Sequence, residues 1–341
     1  MKIALIVNPL IPVPPQNYGG IERIVSMLIN ELSPRHEITL FANAASTPGC
    51  KLIAYTEADK YGLKDFLRIN LLTSKILWQQ FDVVHTFGRM NNIAFLMAAR
   101  LPKVVSYQLP PTLSQVKKAV KIAPHGSLFF TACSNYISQQ IKNDCDVTTI
   151  YNGVELSDYL YNPKVDADAP LIFLGRIQQE KGTDIAIDVA LRTNRKLIIA
   201  GNIPHEARHQ QYFEEKIKPQ IDGKQIIYIG AVNNTQKNEL LGNAAALLMP
   251  VTWDEPFGIV MTEALACGTP VIGFARGAVP EVITNNVNGF VCTNTDKMVD
   301  AVNNISAIDR NTCRKIAEEK FSSGLLVAQY EALYKKITGK V

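Results

Sequence analysis

The sequence predicts an α/β protein with two doubly wound parallel sheets, and three observations carry the prediction. Short apolar runs of strand length alternate with stretches of helical periodicity, the pattern of parallel strands joined by helical crossovers. The first run, residues 2–8, is continuously apolar, as a strand in the middle of a parallel sheet is. The 341 residues exceed the usual size of a single domain, so two are expected, each with a substantial core.

Composition sets bounds on function. At 47% hydrophobic and 19% charged residues the chain is an ordinary globular protein. A net charge of +4 is too small to argue for nucleic acid, and no nucleic-acid partner is expected. The six cysteines form no C-x-x-C pair and no zinc spacing, so each reads as a small buried hydrophobe in a reducing, cytoplasmic setting. The opening apolar run is short and broken by Pro9, Pro12, Pro14 and Pro15, which fits a strand and loop rather than a secretion signal. No run reaches the 18 or so apolar residues of a membrane span. The mildly basic balance would favour peripheral contact with the inner face of an anionic membrane.

Taken in order, strand 2–8 leads through a loop closed by Tyr18-Gly19-Gly20 into a helix. Ile21, Ile24, Val25, Leu28, Ile29 and Leu32 repeat at helical spacing there, so one face packs on the sheet. Strand, Gly19-Gly20, helix is a geometry that can cradle phosphate, and it is equally a tight strand-to-helix connection. Further strands are expected at 37–43, 51–56, 82–87, 103–108, 128–133 and 147–151. Ligands of such a sheet bind at the C-terminal ends of its strands. Two of those ends present polar groups: His85 on one, Tyr107 and Gln108 on the next. On chemistry alone His85 fits a hydrogen-bonded structural residue better than a catalyst. Residues 155–169, with Asn162-Pro163 and alternating Asp and Ala, have linker composition. The expected boundaries are 1–160 for the first domain, with 322–341 returning to it, and 161–321 for the second.

The second sheet opens at 171–176 and ends in Arg176, five residues before Lys181-Gly182 at a helix start. Fixed positive charge beyond a strand end and beside a helix N-terminus suits a phosphate. Strands at 196–201 and 225–231 follow, the latter leading through Val232 to a helix at 235–242. Strand 245–251 feeds the most informative stretch, PVTWDEPFGIVMTEALACGTPVIGFARGAVPEV at 250–282. Glu255 and Glu263 bracket a Pro-Phe-Gly turn and the first turns of an apolar helix that Gly268 ends. Gly258 permits close approach of a ligand to the backbone, and the N–H groups that open the helix favour an anion such as a diphosphate. Glu263 lies about 7–8 Å further along the helix at 1.5 Å per residue. That distance suits a carboxylate accepting hydrogen bonds from a ribose. Glu255 sits at the other end of the phosphates, where a transferred group would lie. Helices running to 305 and 320 lead to a last one at 325–337, with Leu326, Tyr330, Leu333, Tyr334 and Ile337 apolar.

The 250–282 stretch resembles the E-x7-E segment of retaining glycosyltransferases of family 4 with the two-Rossmann GT-B architecture. G-R-x4-K-G at 175–182 is similar to the family's diphosphate-binding signature, and Asn152-Gly153-Val154 resembles its interdomain turn. The resemblance implies two domains facing across a cleft, with the terminal helix crossing back to the first. It implies a sugar moved from a nucleotide diphosphate sugar to a glycan, lipid-linked or small-molecule acceptor, with retention at the anomeric carbon, in glycoconjugate biosynthesis. Residue by residue, it places Glu263 on the donor ribose and Glu255 near the transferred sugar. Phe257, Gly258, Ile259 and Val260 would offer backbone N–H groups, and Val232 would meet the nucleobase through its main chain. Arg176 and Lys181 would stabilise the leaving diphosphate, Gly19-Gly20 would face donor phosphate and acceptor, and His85, Tyr107 and Gln108 would line the acceptor site. The family often has a histidine where Gln108 stands. Gln hydrogen-bonds a sugar hydroxyl but is neither acid nor base, which counts against an epimerase on this fold. No cofactor is expected, and no metal, because the Arg/Lys pair supplies the compensating charge and no D-x-D cluster is placed to bind one.

Overall fold

The computed structural model describes residues 1–15, 19–55 and 62–340, and divides the chain into two compact units, Met1–Asn152 with Ser323–Val341 and Gly153–Ser322. Tyr18 of the glycine turn, Thr56 at the end of the expected third strand and the final Val341 lie outside the described residues.

The first unit holds a seven-stranded sheet of β1 (Lys2–Ile6), β2 (Glu37–Asn43), β3 (Lys51–Tyr55), β4 (Val83–Thr86), β5 (Lys103–Tyr107), β6 (Leu128–Ala132) and β7 (Val147–Thr149). The order is β3-β2-β1-β4-β5-β6-β7, with every neighbouring pair parallel. Ile3, Ala4, Leu5 and Ile6 of central β1 are wholly buried, because helices cover both faces. One side carries α1 (Gly20–Leu32). Right-handed crossovers place α2 (Leu63–Ser74), α3 (Leu113–Ile122) and α4 (Asn135–Gln139) on the other. There Ile69, Val116 and Ile141 share one core with Ala4, Ile6, Val84, Val105 and Phe130.

The C-terminal helix, Ser323–Thr338, returns to this unit and packs beside α1. Its own Tyr330 and Tyr334 are buried, and its Glu331 accepts a hydrogen bond from Arg35 Nη2 at 2.9 Å and pairs with His36 Nε2 at 3.0 Å. The two partners hold the Glu331 carboxyl down at about 2, Arg35 being the larger cause.

The second unit repeats the plan with β8 (Leu171–Leu174), β9 (Leu197–Ala200), β10 (Ile226–Tyr228), β11 (Ala246–Met249), β12 (Val271–Phe274) and β13 (Gly289–Cys292), ordered β10-β9-β8-β11-β12-β13 and all parallel. Its helices are α5 (Thr183–Arg192), α6 (Ala207–Tyr212), α7 (Asn234–Gly242), α8 (Ile259–Ala266), α9 (Val279–Val282), α10 (Thr295–Asn303) and α11 (Arg310–Lys320). Strand order reverses between β8 and β11, so the loops after those two strands diverge and leave room for a ligand. All six cysteines are free. Among the described residues no helix is long and apolar enough to cross a membrane.

Candidate functional site

In the second unit the candidate residues gather at the C-terminal ends of β8 and β11, on either side of the reversal. The ladder of β8 stops at Leu174, so Arg176 belongs to the following loop, half-buried. A single 3-10 turn ends at Lys181, and Gly182, in the left-handed region, opens α5. The Lys181 ammonium is already engaged. Its Nζ donates to Glu255 Oε2 at 2.6 Å and lies 4.9 Å from the centroid of the Trp253 ring. Trp253 Nε1 donates to the same carboxylate oxygen at 2.9 Å. The two charged side chains retain only 19% and 10% of their exposure, so the ion pair is largely withdrawn from water.

The loop that carries Glu255 is tied from both sides. Thr252 N donates to Glu180 O at 3.0 Å, and Ala278 N donates to Glu255 O at 2.8 Å. Gly277, at a φ of 56°, passes so near that a Cβ there would stand 2.2 Å from Glu255 O, which only glycine allows. Phe257 points inward, 2% exposed, and meets Phe321 edge-on at 6.0 Å. Anchored by that ring, the chain turns through Gly258, at a φ of 78°, into α8. The first N–H groups of α8, those of Ile259 and Val260, have no carbonyl before them within the helix. Both residues are half-buried, and their backbone can serve an anion.

Glu263, on α8, is 5% exposed. Its Oε1 accepts from Tyr159 Oη at 2.7 Å and forms an ion pair with Lys237 Nζ, and that ammonium lies 5.4 Å from the Tyr159 ring. Lys237 reaches it from α7, whose start is fixed by a capping box of Asn233 and Gln236. Val232, half-buried, occupies the loop between β10 and α7. The three partners Trp253, Lys237 and Tyr159 escaped sequence reasoning. Only Trp253 carried a signal, as an aromatic two residues before Glu255.

In the first unit Gly19 stands at the N-cap of α1 and Gly20 is its first residue. The same first turn buries Glu22, 4% exposed, and burial pushes its carboxyl above the ordinary value. Tyr107 stacks on Phe130 with centroids 6.1 Å apart, and burial raises its hydroxyl to about 12. Gln108 follows β5 and its Oε1 accepts from Asn152 Nδ2 at 2.7 Å. The remaining Gln108 Nε2 and Asn152 Oδ1 are buried without partners among the described residues. Tyr107 and Gln108 line a cavity of about 320 Å³ together with Asn8, Ile21, Arg89 and Ser106.

His85 is a correction: it does not line that cavity. Side chains alternate along β4, so while Val84 faces the core under α2, His85 faces the opposite side, where the C-terminal helix covers it completely. Its Nδ1 bonds Tyr334 Oη at 2.5 Å and its Nε2 bonds Ser106 Oγ at 2.6 Å. Both ring nitrogens are spent on structure, and burial holds the imidazole well below its usual 6.5. A folded state that refuses the proton loses stability as pH falls below the unfolded value, since only the unfolded chain then binds it. The stability advantage of the wild type over His85→Gln, read from urea unfolding, is therefore expected to shrink by up to about 2 kcal/mol between pH 7 and pH 5. A gap independent of pH would contradict the buried neutral imidazole.

Two family models match the chain. Residues 162–333 match the family model of the glycosyl transferases group 1, and residues 18–158 match that of glycosyltransferase family 4. An uncharacterized glycosyltransferase of Methanocaldococcus jannaschii is 29% identical over 194 residues, 52% of this chain and 47% of its own length, so the chain spans about half of that relative. AviGT4, a glycosyltransferase involved in avilamycin A biosynthesis, superposes with a TM-score of 0.75 at 23% identity, covering 100% of this chain and 99% of that one. HepE of Anabaena, solved in complex with UDP-glucose, superposes with a TM-score of 0.76 at 18% identity over 98% and 100% of the two chains. These likenesses establish the GT-B fold, and the family match is carried by half of the chain, the half that holds Lys181, Glu255 and Glu263. The chain belongs to the glycosyl transferases group 1 family.

Proposed function

We propose that the protein transfers a sugar from a nucleotide diphosphate sugar to an acceptor hydroxyl with retention of anomeric configuration. One observation carries the reading: Lys181 pairs with Glu255 at 2.6 Å, and the chain runs from Glu255 through the opening turn of α8 to Glu263 further along that helix, a succession that suits the transferred sugar, the diphosphate and the ribose of one donor in that order. In the reaction the anomeric carbon–phosphate oxygen bond breaks and a bond to the acceptor oxygen forms. The acceptor proton passes to the departing diphosphate, which takes the bonding electron pair. Arg176, Lys181 and the Ile259 and Val260 N–H groups meet the charge that grows on that group, the kind of fixed electrostatic stabilisation that is usually the largest catalytic effect. With two cations so placed, the mechanism assigns no step to a metal. A same-face attack assisted by the leaving phosphate is the route we assign to retention, since the Gln108 amide is a poor nucleophile and the Glu255 carboxylate is engaged by Lys181 and Trp253. Tyr107 and Gln108 give the acceptor side polar groups for a glycan, lipid-linked or small-molecule acceptor. HepE with its bound UDP-glucose supports a nucleotide-sugar donor by analogy of fold.

The test is a thermal-shift screen of UDP-, GDP-, ADP- and dTDP-sugars, followed by assay of nucleoside diphosphate release. A donor at 100 times its Kd adds about 2.7 kcal/mol of stability. The expected result is one nucleotide series that both raises Tm and is slowly hydrolysed. Absence of any stabilisation and any release across the panel would overturn the reading.

A further inference from the structure

We propose that Trp253 is a positioning residue of the donor site, one that lets Lys181 change partners without releasing Glu255. The inference rests on the transferase reading above and deepens it. Glu255 Oε2 receives two hydrogen bonds, from Lys181 Nζ at 2.6 Å and Trp253 Nε1 at 2.9 Å, while Oε1 has no hydrogen bond among the described residues. The same indole that holds the carboxylate edge-on offers its face to the ammonium, 4.9 Å from its centroid. An aromatic face attracts a cation, indole most strongly, and indole adds an N–H donor at its edge. Trp253 therefore contacts both members of the pair through different parts of one ring system.

The arrangement matters because Lys181 has two claims on it. In the structure its charge is spent on Glu255; in the reaction it is required by a diphosphate. A buried carboxylate that loses its cation outright is strongly disfavoured, so a simple exchange would oppose donor binding. Trp253 reduces that opposition. Its N–H stays on Oε2 as the ammonium swings toward phosphate across the ring face, and the loop itself is fixed by the Thr252 and Ala278 bonds. Glu255 then keeps its orientation with its oxygens turned to the hydroxyls of the transferred sugar. Diphosphate binding and carboxylate presentation become one event.

The chain's two tryptophans make the event readable. Trp78 is 88% exposed in the other unit, so Trp78→Phe leaves Trp253 as the sole tryptophan, read with excitation that tyrosine does not absorb. UDP, GDP, ADP and dTDP are titrated into that full-length variant by calorimetry and by emission, and hydrolysis of the corresponding nucleotide sugars is followed. The tightest nucleoside diphosphate is expected to change Trp253 emission with the same Kd that calorimetry gives. Trp253→Phe, which keeps the ring face and loses the N–H, is expected to hold its nucleoside diphosphate Kd within about threefold while kcat falls at least about tenfold, the loss of one charge-assisted bond. Trp253→Ala, which loses both, is expected to weaken binding about tenfold as well. A merely structural role would move Kd and kcat together in both variants and lower their Tm alike. Calorimetric binding with unchanged emission, or a wild-type kcat in Trp253→Phe, would overturn the positioning role and leave the transferase reading standing. Absence of binding by all four nucleoside diphosphates would overturn both.

Discussion

Replacing Arg176 or Lys181 by alanine is expected to lower kcat by roughly 30- to 1,000-fold each, from about 2–4 kcal/mol per lost donor to the departing group. The reasoning is differential: charge on the diphosphate grows as the glycosidic bond breaks, so contacts to it strengthen in the transition state, and their loss appears in kcat as well as in KM. The structure adds a complication for Lys181. Its ammonium also neutralises Glu255, whose side chain is only 10% exposed, so Lys181→Ala strands a carboxylate and destabilises the second unit. Lys181→Ala combined with Glu255→Gln removes the stranded charge. That double variant is expected to recover most of the lost Tm and none of the lost kcat. Steady-state kinetics with the donor varied, run beside thermal melts, separates the two effects. A normal kcat in both single variants would sink the leaving-group role whatever happens to Tm.

How far the sequence could be read depended on whether a residue's partner was near it in the chain. The parallel strands were legible as short apolar runs, and 37–43 was read to its observed limits. Other strands stop a residue or two earlier than the apolar run, since the ladder ends before the composition changes; Gln108 and Arg176 are loop residues for that reason. Helix α2 was scarcely visible. Its outer side carries Leu63, Leu67 and Leu71, all exposed, while its inner side buries Asn70 and Thr73 beside Ile69, which blurs the apolar stripe. The Glu255 and Glu263 motif is contiguous and could be seen; Tyr159 and Lys237 stand 104 and 26 residues from Glu263 and could not. His85 was misjudged from the same cause. The helix that buries it arrives 249 residues later, and a strand end that looks open in the sequence is closed by the end of the chain.

Glu263→Ala is expected to have two consequences, and they can be pulled apart. The first is stability. Lys237 is 9% exposed and Tyr159 6%, so truncating Glu263 leaves a buried ammonium and a buried hydroxyl without their acceptor. Breaking such a pair on one side costs about 3–5 kcal/mol, which for a unit of this size lowers Tm by roughly 6–20 °C. The second is binding. A charge-assisted bond to a ribose hydroxyl is worth about 1.5–3 kcal/mol, so the nucleoside diphosphate Kd should rise at least about tenfold. Because an unstable variant also binds poorly, Glu263→Ala alone would not decide between them. Replacing the pair together, as Glu263→Leu with Lys237→Met, removes both charges and fills the space with apolar atoms, a change that is often neutral for stability. That double variant is expected to melt within a few degrees of wild type and still bind the nucleoside diphosphate at least about tenfold more weakly by calorimetry. Wild-type affinity in the restored double variant would mean that the Glu263 carboxylate is a structural group, tied to Lys237 and Tyr159, with no hold on the ribose.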